Sequence, residues 1–239
     1  MKGIILAGGL GTRLRPLTLI TNKHLLPIYN KPMILFPLET LRSSGVSEIM
    51  IVCGKEHAGH FMNFLGSGGE HKVKISYALQ DKSGGIAEAL SFAEDFADGG
   101  KVAVILGDNI FEASFKDEVQ KFETQEGAKV FVKEVDDPKR FGVAEIRAGK
   151  IVSIEEKPKI PKSNLVTTGF YLYDFDVFAK IKKLKPSKRG ELEITDIHNM
   201  YIRDNKLHYE KVKRFWSDAG TFDSLIKTSN WVFKKNVSQ

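Results

Sequence analysis

Apolar residues occur along the first half of the chain in short continuous runs that alternate with stretches of helical spacing. Continuous or nearly continuous apolar runs predict buried strands, because a parallel strand that is covered on both faces needs no polar alternation. These strands are predicted at 4–6, 48–52, 73–78 and 102–106. Helical spacing predicts helices at 33–45, 57–65 and 86–96. This strand–helix rhythm predicts an open, mostly parallel sheet with ligands at the carboxyl ends of its strands.

From about residue 111 the rhythm loosens. The pattern predicts helices at 115–125, 177–184 and 194–204, strands at 128–133 and 170–173, a hairpin over 143–154, and a short polar terminus from Trp231. No repeat or low-complexity linker interrupts the chain. We therefore expect one compact unit with two lobes.

A glycine-rich loop follows the first predicted strand. Gly8, Gly9 and Gly11 let the backbone bend tightly and let its N–H groups approach a ligand, and Arg13 adds a permanent positive charge. Such a loop can hold phosphate oxygens. It can equally be a plain turn with a surface arginine. It is neither common nucleotide fingerprint, because Leu14 stands where the dinucleotide fold has its third glycine and no Gly-Lys-Ser/Thr follows.

Composition excludes several classes of protein. The chain of 239 residues has no apolar run long enough to span a membrane and no signal-peptide pattern, and Cys53 is its single cysteine, so a cytoplasmic protein is expected. The net charge of +6 admits nucleic acid, nucleotides or sugar phosphates as partners. The densest basic cluster, at 180–189, is typical of a solvated helix face. The histidines lack zinc-ligand spacing.

Two aspartates are candidate metal ligands. Asp108 comes directly after the strand at 102–106, where the carboxyl end of a parallel strand meets the ligand cleft. Mg²⁺ prefers a few carboxylates together with phosphate oxygens and waters. Asp108 beside Gly107 is also typical of a turn, and Asp218, taken alone, is typical of a helix cap or a turn.

A series of motifs resembles the sugar-1-phosphate nucleotidyltransferases, and in particular their glucose-1-phosphate thymidylyltransferase branch in its short form. The motifs are Leu-Ala-Gly-Gly at 6–9, Gly-Thr-Arg-Leu at 11–14, Lys23 before Leu-Leu-Pro at 25–27, Leu-Gly-Asp-Asn-Ile-Phe at 106–111, Ile-Glu-Glu-Lys-Pro at 154–158, Arg-Gly-Glu-Leu-Glu-Ile-Thr-Asp at 189–196 and Trp-Ser-Asp-Ala-Gly-Thr at 216–221. The resemblance implies one Rossmann-like, three-layer α/β domain over 1–239. Its nucleotide half would span about 1–110, and its sugar-phosphate half about 111–239.

The resemblance also implies roles for individual residues. The nucleotide would be held by Gly8, Gly9, Gly11, Thr12, Arg13 and Lys23 at its phosphates and by Gln80 and Gly85 at its base. Mg²⁺ would be bound by Asp108 and Asp218. The sugar hydroxyls would contact Asn109, Gly142, Glu156 and Thr167, and the sugar phosphate would contact Lys157 and Arg189. The catalytic group would comprise Arg13, Lys23, Asp108, Lys157 and Asp218.

The implied reaction is Mg²⁺-dependent transfer of a thymidylyl group from dTTP to α-D-glucose 1-phosphate, giving dTDP-glucose and pyrophosphate for dTDP-rhamnose or other deoxysugar synthesis. The alternatives are a UTP-preferring uridylyltransferase, since Gln80 can bond thymine and uracil alike, and a non-catalytic sugar-nucleotide-binding subunit. A homo-oligomer is implied, and neither nucleic acid nor a membrane is expected as a partner.

Three features depart from the family pattern. His24 stands where many members have Gln, and Thr167 stands where Val is usual. The sequence also stops soon after Trp231, so a feedback site built on the longer members' tail is expected to be absent or altered.

Overall fold

The computed structural model describes residues 1–237. The strands are β1 (Lys2–Ala7), β2 (Pro27–Ile28), β3 (Lys31–Pro32), β4 (Glu48–Gly54), β5 (Lys74–Gln80), β6 (Val102–Leu106), β7 (Asn109–Phe111), β8 (Ala128–Glu134), β9 (Gly142–Arg147), β10 (Lys150–Glu156), β11 (Leu165–Tyr173), β12 (Leu207–Lys211) and β13 (Trp216–Asp218). The α-helices are α1 (Leu35–Ser43), α2 (Ala58–Leu65), α3 (Ile86–Ser91), α4 (Glu94–Ala97), α5 (Lys116–Phe122), α6 (Asp176–Ile181), α7 (Ile194–Arg203) and α8 (Phe222–Val237).

One nine-stranded sheet runs through the molecule in the order β10-β9-β11-β6-β1-β4-β5, with β8 beside β11 and β12 beside β8. Strands β6, β1, β4 and β5 are parallel, as the strand–helix rhythm predicts. Strand β11 then runs antiparallel to β6, β8 and β9. The predicted α/β fold with a central sheet that is mostly parallel is confirmed, and strands from both halves of the chain belong to the same sheet.

The apolar strands are buried on both faces. Along β1, Ile4 packs into one core cluster with Val104, whereas Ile5 packs into the other with Ile105. Helices α3, α6 and α7 contribute to the first cluster, and α1, α2 and α5 contribute to the second. The sheet is therefore the middle of three layers, which explains why its central strands show no polar alternation.

Two sequence predictions need correction. The helix predicted over 86–96 is two helices, α3 and α4, because the chain leaves helical geometry at Ala93 (φ −101°, ψ 9°). This break leaves Ala93 and Ala97 both buried. The short polar-ended terminus predicted from Trp231 missed helix α8, to which residues 231–237 belong and which buries Thr228 and Val232. The last two residues of that segment lie outside the described residues. No helix among residues 1–237 combines the length and the apolar character that crossing a membrane requires.

A buried histidine makes the stability of the fold sensitive to acid. His198, on α7, is fully buried, and its Nε2 lies 2.6 Å from the hydroxyl of Tyr173. Burial lowers the pKa of His198 from 6.5 to about 3. The unfolded chain therefore binds one more proton than the folded chain between these values. The contribution of neutral, buried His198 to the free energy of unfolding is fully present above pH 6.5. It is lost as the pH falls, by about 2 kcal/mol at pH 5.

The measurement is urea unfolding of the wild type and of His198→Gln at pH 8 and pH 5. Glutamine retains a polar group near Tyr173 but does not titrate, so the loss of stability on acidification should be about 2 kcal/mol smaller in the variant. Equal losses in the two proteins would contradict the prediction.

Candidate active site

The carboxyl ends of four parallel strands form one edge of the sheet. The glycine-rich loop leaves β1 here, Asp108 follows β6, and Gln80 ends β5. Gly8 is so close to Gln80 that a Cβ at Gly8 would lie 2.2 Å from the Gln80 Oε1. The residues that the sequence predicts at strand ends are thus brought together.

The glycine loop has the backbone freedom that its sequence predicts. Gly11 has φ +63°, and its carbonyl accepts a hydrogen bond from the Thr18 hydroxyl at 2.8 Å. Thr12 begins a single 3₁₀ turn that ends at Leu14, whose side chain is fully buried. Leu14 therefore anchors the loop in the core, which accounts for an apolar side chain where the dinucleotide fold has glycine.

Lys23 and Asp108 form an ion pair beside this loop. The Lys23 Nζ lies 2.5 Å from the Asp108 Oδ2, and both side chains are largely buried. Burial by itself raises the pKa of Asp108, but the charge of Lys23 and hydrogen bonds from Lys23 and Asn109 hold that pKa well below its usual range. Asp108 is therefore an anion at neutral pH.

Asp218 reaches the same place from the far end of the sequence. Strand β13 pairs with β7, so that Asp218 lies opposite Asn109, and the amide of Ala219 donates to the carbonyl of Asp108 at 2.8 Å. Burial and the charge of Asp108 raise the pKa of Asp218 to about 6, against the opposing effect of Arg140 and other basic residues. The buried Asp108 and the half-buried Asp218 are therefore close enough for their charges to interact.

A glycine lets a second basic residue approach this carboxylate pair. A Cβ on Gly220 would lie 3.0 Å from the Arg13 Nη2 and 3.3 Å from the Asp108 Oδ2. No group of three or more His, Cys, Asp or Glu residues within residues 1–237 forms a complete metal cage. Two hard oxygen ligands whose charges repel each other suit Mg²⁺, which takes its remaining ligands from phosphates and water.

The predicted base-binding residues lie at the end of β5. The Gln80 Nε2 donates to the Glu88 Oε2 at 2.6 Å, and the same oxygen accepts from the Gly84 amide at 2.9 Å. Gly85 has φ +103°, and a Cβ there would lie 2.6 Å from the Leu192 carbonyl oxygen. Glu88, which the sequence analysis missed, therefore fixes the amide orientation of Gln80.

In the predicted sugar-phosphate region, Glu156 ends β10 and Lys157 follows it. Burial raises the pKa of Glu156, with Lys157 opposing and Glu193 adding to the shift. The Lys157 Nζ lies 3.4 Å from the Glu156 Oε1. Lys157 is also a non-glycine residue in the left-handed region, at φ +44°. Strain of this kind is frequent at ligand-binding positions.

Arg189 is nearby but is already paired with carboxylates. Its guanidinium contacts Glu191, lies 3.3 Å from the Glu193 Oε1, and lies 3.9 Å from the Glu156 Oε1. The side chain is about one-third exposed, at 37%. The structure thus joins Arg189 to Glu156 and Lys157 in one charged group.

The other predicted sugar contacts are buried. The Thr167 hydroxyl donates to the Gly142 carbonyl at 3.3 Å, and a Cβ on Gly142 would lie 2.8 Å from that hydroxyl. The Asn109 Oδ1 accepts from the Gly169 amide at 2.8 Å and from the Trp216 Nε1 at 2.7 Å, while its Nδ2 donates to Asp108. Asn109 therefore holds β7, β11 and β13 together.

His24 does not point into the cleft. Its Nδ1 lies 2.7 Å from the Asn22 Oδ1, and a Cβ on Gly107 would lie 2.6 Å from its Cδ2. Burial and the charge of Lys23 lower the pKa of His24 to about 3. His24 is thus a neutral packing residue behind Asp108.

Comparisons with known proteins identify the family of the chain. The family described as "Nucleotidyl transferase" matches residues 2–235. Glucose-1-phosphate thymidylyltransferases from Actinoplanes sp. and Neisseria meningitidis are 43% and 44% identical to the chain, each over 97% of it and over 78% and 82% of the relative. A Bacillus anthracis structure, provisionally named glucose-1-phosphate thymidylyltransferase and crystallised with a sucrose, is 53% identical, covers 97% of this chain and 94% of its own, and has a TM-score of 0.93.

A second solved structure is more distant. A UDP-glucose pyrophosphorylase in complex with UDP-glucose is 26% identical over 98% of both chains, with a TM-score of 0.88. The chain belongs to the nucleotidyl transferase family and is an enzyme of nucleotidyl transfer. Within the family it is similar to glucose-1-phosphate thymidylyltransferases, as the sequence motifs predict.

Proposed function

We propose that the protein transfers a thymidylyl group from dTTP to α-D-glucose 1-phosphate and releases pyrophosphate. The observation that carries the proposal is the pair of carboxylates Asp108 and Asp218, with Lys23 and Arg13 beside it at the end of the glycine loop. In this arrangement the carboxylates can bind a metal ion, and the basic side chains can bind the triphosphate. The identities of 43% and 44% with proteins named for this reaction support the choice of substrates.

The chemistry needs no strong general base. The oxygen of a sugar 1-phosphate is already an anion, so it can attack the α-phosphorus directly. The obstacles are repulsion among about four or more negative charges and the in-line alignment of the attacking and leaving oxygens, which positioning and electrostatic stabilisation overcome. The residues fit this demand, because basic side chains surround a carboxylate pair.

Each part of the cleft has a proposed task. The backbone of Gly8, Gly9, Gly11 and Thr12 and the side chains of Arg13 and Lys23 bind the triphosphate. Gln80 and Gly85 orient the base. Lys157 and Arg189 bind the sugar phosphate, and Asn109, Gly142, Glu156 and Thr167 shape the sugar pocket. Mg²⁺ held by Asp108 and Asp218 would neutralise charge on the α-phosphate.

The wider setting follows from these substrates. Because both are cytoplasmic metabolites, we place the enzyme in the cytoplasm, as a homo-oligomer like other members of its family. The product would supply an activated sugar for dTDP-rhamnose or another deoxysugar.

A second candidate is transfer from UTP, which the likeness to a UDP-glucose pyrophosphorylase favours, with a TM-score of 0.88. The Gln80 amide can bond uracil and thymine alike. The lower identity of 26% to that protein makes UTP the second choice.

The test is pyrophosphate release with glucose 1-phosphate, Mg²⁺ and each of dTTP, UTP, CTP, ATP and GTP in turn. We expect release with dTTP, and a fall of about 10³-fold in Asp108→Asn, because Mg²⁺ would lose one of the two carboxylates proposed to hold it against the α-phosphate. Asp117→Asn, at an exposed carboxylate on α5, is the matched control and should be unaffected.

Other results would point elsewhere. A strong preference for UTP would replace the thymidylyl assignment with the uridylyl one. No release with any nucleotide would favour a non-catalytic sugar-nucleotide-binding protein.

A further inference from the structure

Each carboxylate of the pair is matched by one cation. Lys23 pairs with Asp108 at 2.5 Å. Arg140 pairs with Asp218 through a single nitrogen, Nη2, which lies 3.0 Å from Oδ1 and 2.9 Å from Oδ2. No sequence motif pointed to Arg140, because it lies 78 residues from Asp218 along the chain. The structure alone brings the two together.

The Arg140 guanidinium has donors to spare. It carries five N–H groups in a planar fork. Its Nε is buried and has no hydrogen-bond partner among residues 1–237. A buried donor without a partner is costly. The side chain as a whole is nevertheless 38% exposed, so an incoming acceptor can approach it.

Arg140 also lies against the segment that carries the proposed sugar-phosphate residues. It ends a 3₁₀ turn, Pro138–Arg140, and its guanidinium lies 5.3 Å from the ring centre of Phe141. The carbonyl of Phe141 accepts a hydrogen bond from the Lys157 amide at 3.0 Å. Arg140 thus contacts Asp218 through its side chain, and its neighbour Phe141 is bonded to the backbone of Lys157.

We propose that Arg140 is a further substrate-binding residue. In the free enzyme its guanidinium is paired with Asp218. When a divalent cation is bound at Asp218, Arg140 instead binds a phosphate oxygen of the sugar 1-phosphate. This proposal rests on the proposed function. An arginine fork suits a phosphate at least as well as a carboxylate. Because Arg140 and the cation compete for Asp218, Arg140 opposes metal binding and favours sugar-phosphate binding.

The test uses the opposite effects of Arg140 on metal binding and on sugar-phosphate binding. In Arg140→Gln without substrates, Mn²⁺ titrated by electron paramagnetic resonance should bind about 3- to 10-fold more tightly, because one cation no longer competes for Asp218. In the same variant, the KM for glucose 1-phosphate should rise about 10-fold or more, while the KM for dTTP should stay within about twofold. Arg147→Gln, at an exposed arginine paired with Glu145, is the control and should change neither quantity.

A second variant distinguishes the effect of the Arg140 charge from the effect of its guanidinium geometry. Arg140→Lys keeps the charge but loses the fork. It should restore Mn²⁺ affinity to within about twofold of the wild type and leave the KM for glucose 1-phosphate raised. Melting temperatures of all variants establish that they are folded.

Three outcomes would overturn the proposal. Unchanged or weaker Mn²⁺ binding in folded Arg140→Gln would show that Arg140 does not compete for Asp218. A rise in the KM for dTTP instead of glucose 1-phosphate would assign Arg140 to the nucleotide's phosphates. An unchanged KM for both substrates would show that it binds neither. A wild type that releases no pyrophosphate would refute the proposed function, whereas the Mn²⁺ comparison would still report on the ion pair.

Discussion

Lys23→Met is expected to slow pyrophosphate release by about 10³-fold and to lower the free energy of unfolding by about 3 kcal/mol. The two effects have separate causes. The rate falls because a fixed positive charge beside the glycine loop no longer stabilises the phosphates in the transition state. The stability falls because Asp108, which is 7% exposed, loses the partner 2.5 Å away that offsets its burial.

Initial rates under saturating substrates and urea unfolding at pH 7.5 measure the two effects. Lys31→Met is the matched control, because Lys31 also pairs with a carboxylate, Glu39, at 2.7 Å, but in a more exposed position. Exposed ion pairs contribute about 0–1 kcal/mol, so this variant should lose little stability and no activity.

The double variant Lys23→Met/Asp108→Asn distinguishes the effect on stability from the effect on the rate. Removing both charges leaves no unpaired ion in the interior, so stability should recover by about 1–3 kcal/mol relative to Lys23→Met. The rate should not recover, since both groups that act on the phosphates are gone. Recovery of the rate, or an unchanged stability in the single variant, would contradict the roles assigned to this ion pair.

The part of the site that lies at strand ends could be predicted from the sequence because its signals are local. An apolar run fixes where β1 or β6 ends, and the residues that follow, Gly8 and Asp108, must then lie at the same edge of the sheet. This inference does not extend to which side chains form ion pairs with each other. That Lys23 neutralises Asp108 depends on a contact across 85 residues of sequence, which no local pattern contains.

The second half of the chain was harder to predict, for two physical reasons. Strands β7 and β13 have three residues each, too few for a periodic pattern, yet they bring Asp218 opposite Asn109. Helix α8 buries Thr228, whose hydroxyl donates to Ser217 at 2.8 Å, so its inward face is partly polar and does not stand out in the sequence. Arg140 was missed for the same reason, since its partner is distant.

Some predicted site residues proved to have structural partners of their own. Asn109 joins three strands through its side-chain amide, and one N–H of that amide takes part in none of these hydrogen bonds. Its contact with Gly169 is close, because a Cβ there would lie 2.6 Å from the Asn109 Cγ. The sequence identified this asparagine through its motif but not the strand network that orients it.

Phe170→Ala is expected to destabilise the protein by about 3–5 kcal/mol, the range for truncating a buried aromatic residue. Phe170 is fully buried on β11, next to Gly169, and its backbone pairs with Ile105 of β6 where the two halves of the chain meet. Its ring stacks on Phe131 at 5.0 Å and contacts Phe115 at 4.5 Å between ring centres. Alanine leaves a cavity at this junction.

Urea unfolding measures the loss, with Phe64→Ala as the control. Phe64 is 41% exposed on α2, so the same truncation there should cost less than about 1 kcal/mol. Because Phe170 adjoins the Gly169 amide that holds Asn109, we also expect the folded Phe170→Ala protein to release pyrophosphate more slowly. A loss of stability no larger than that of Phe64→Ala would mean that the aromatic cluster does not join the two halves.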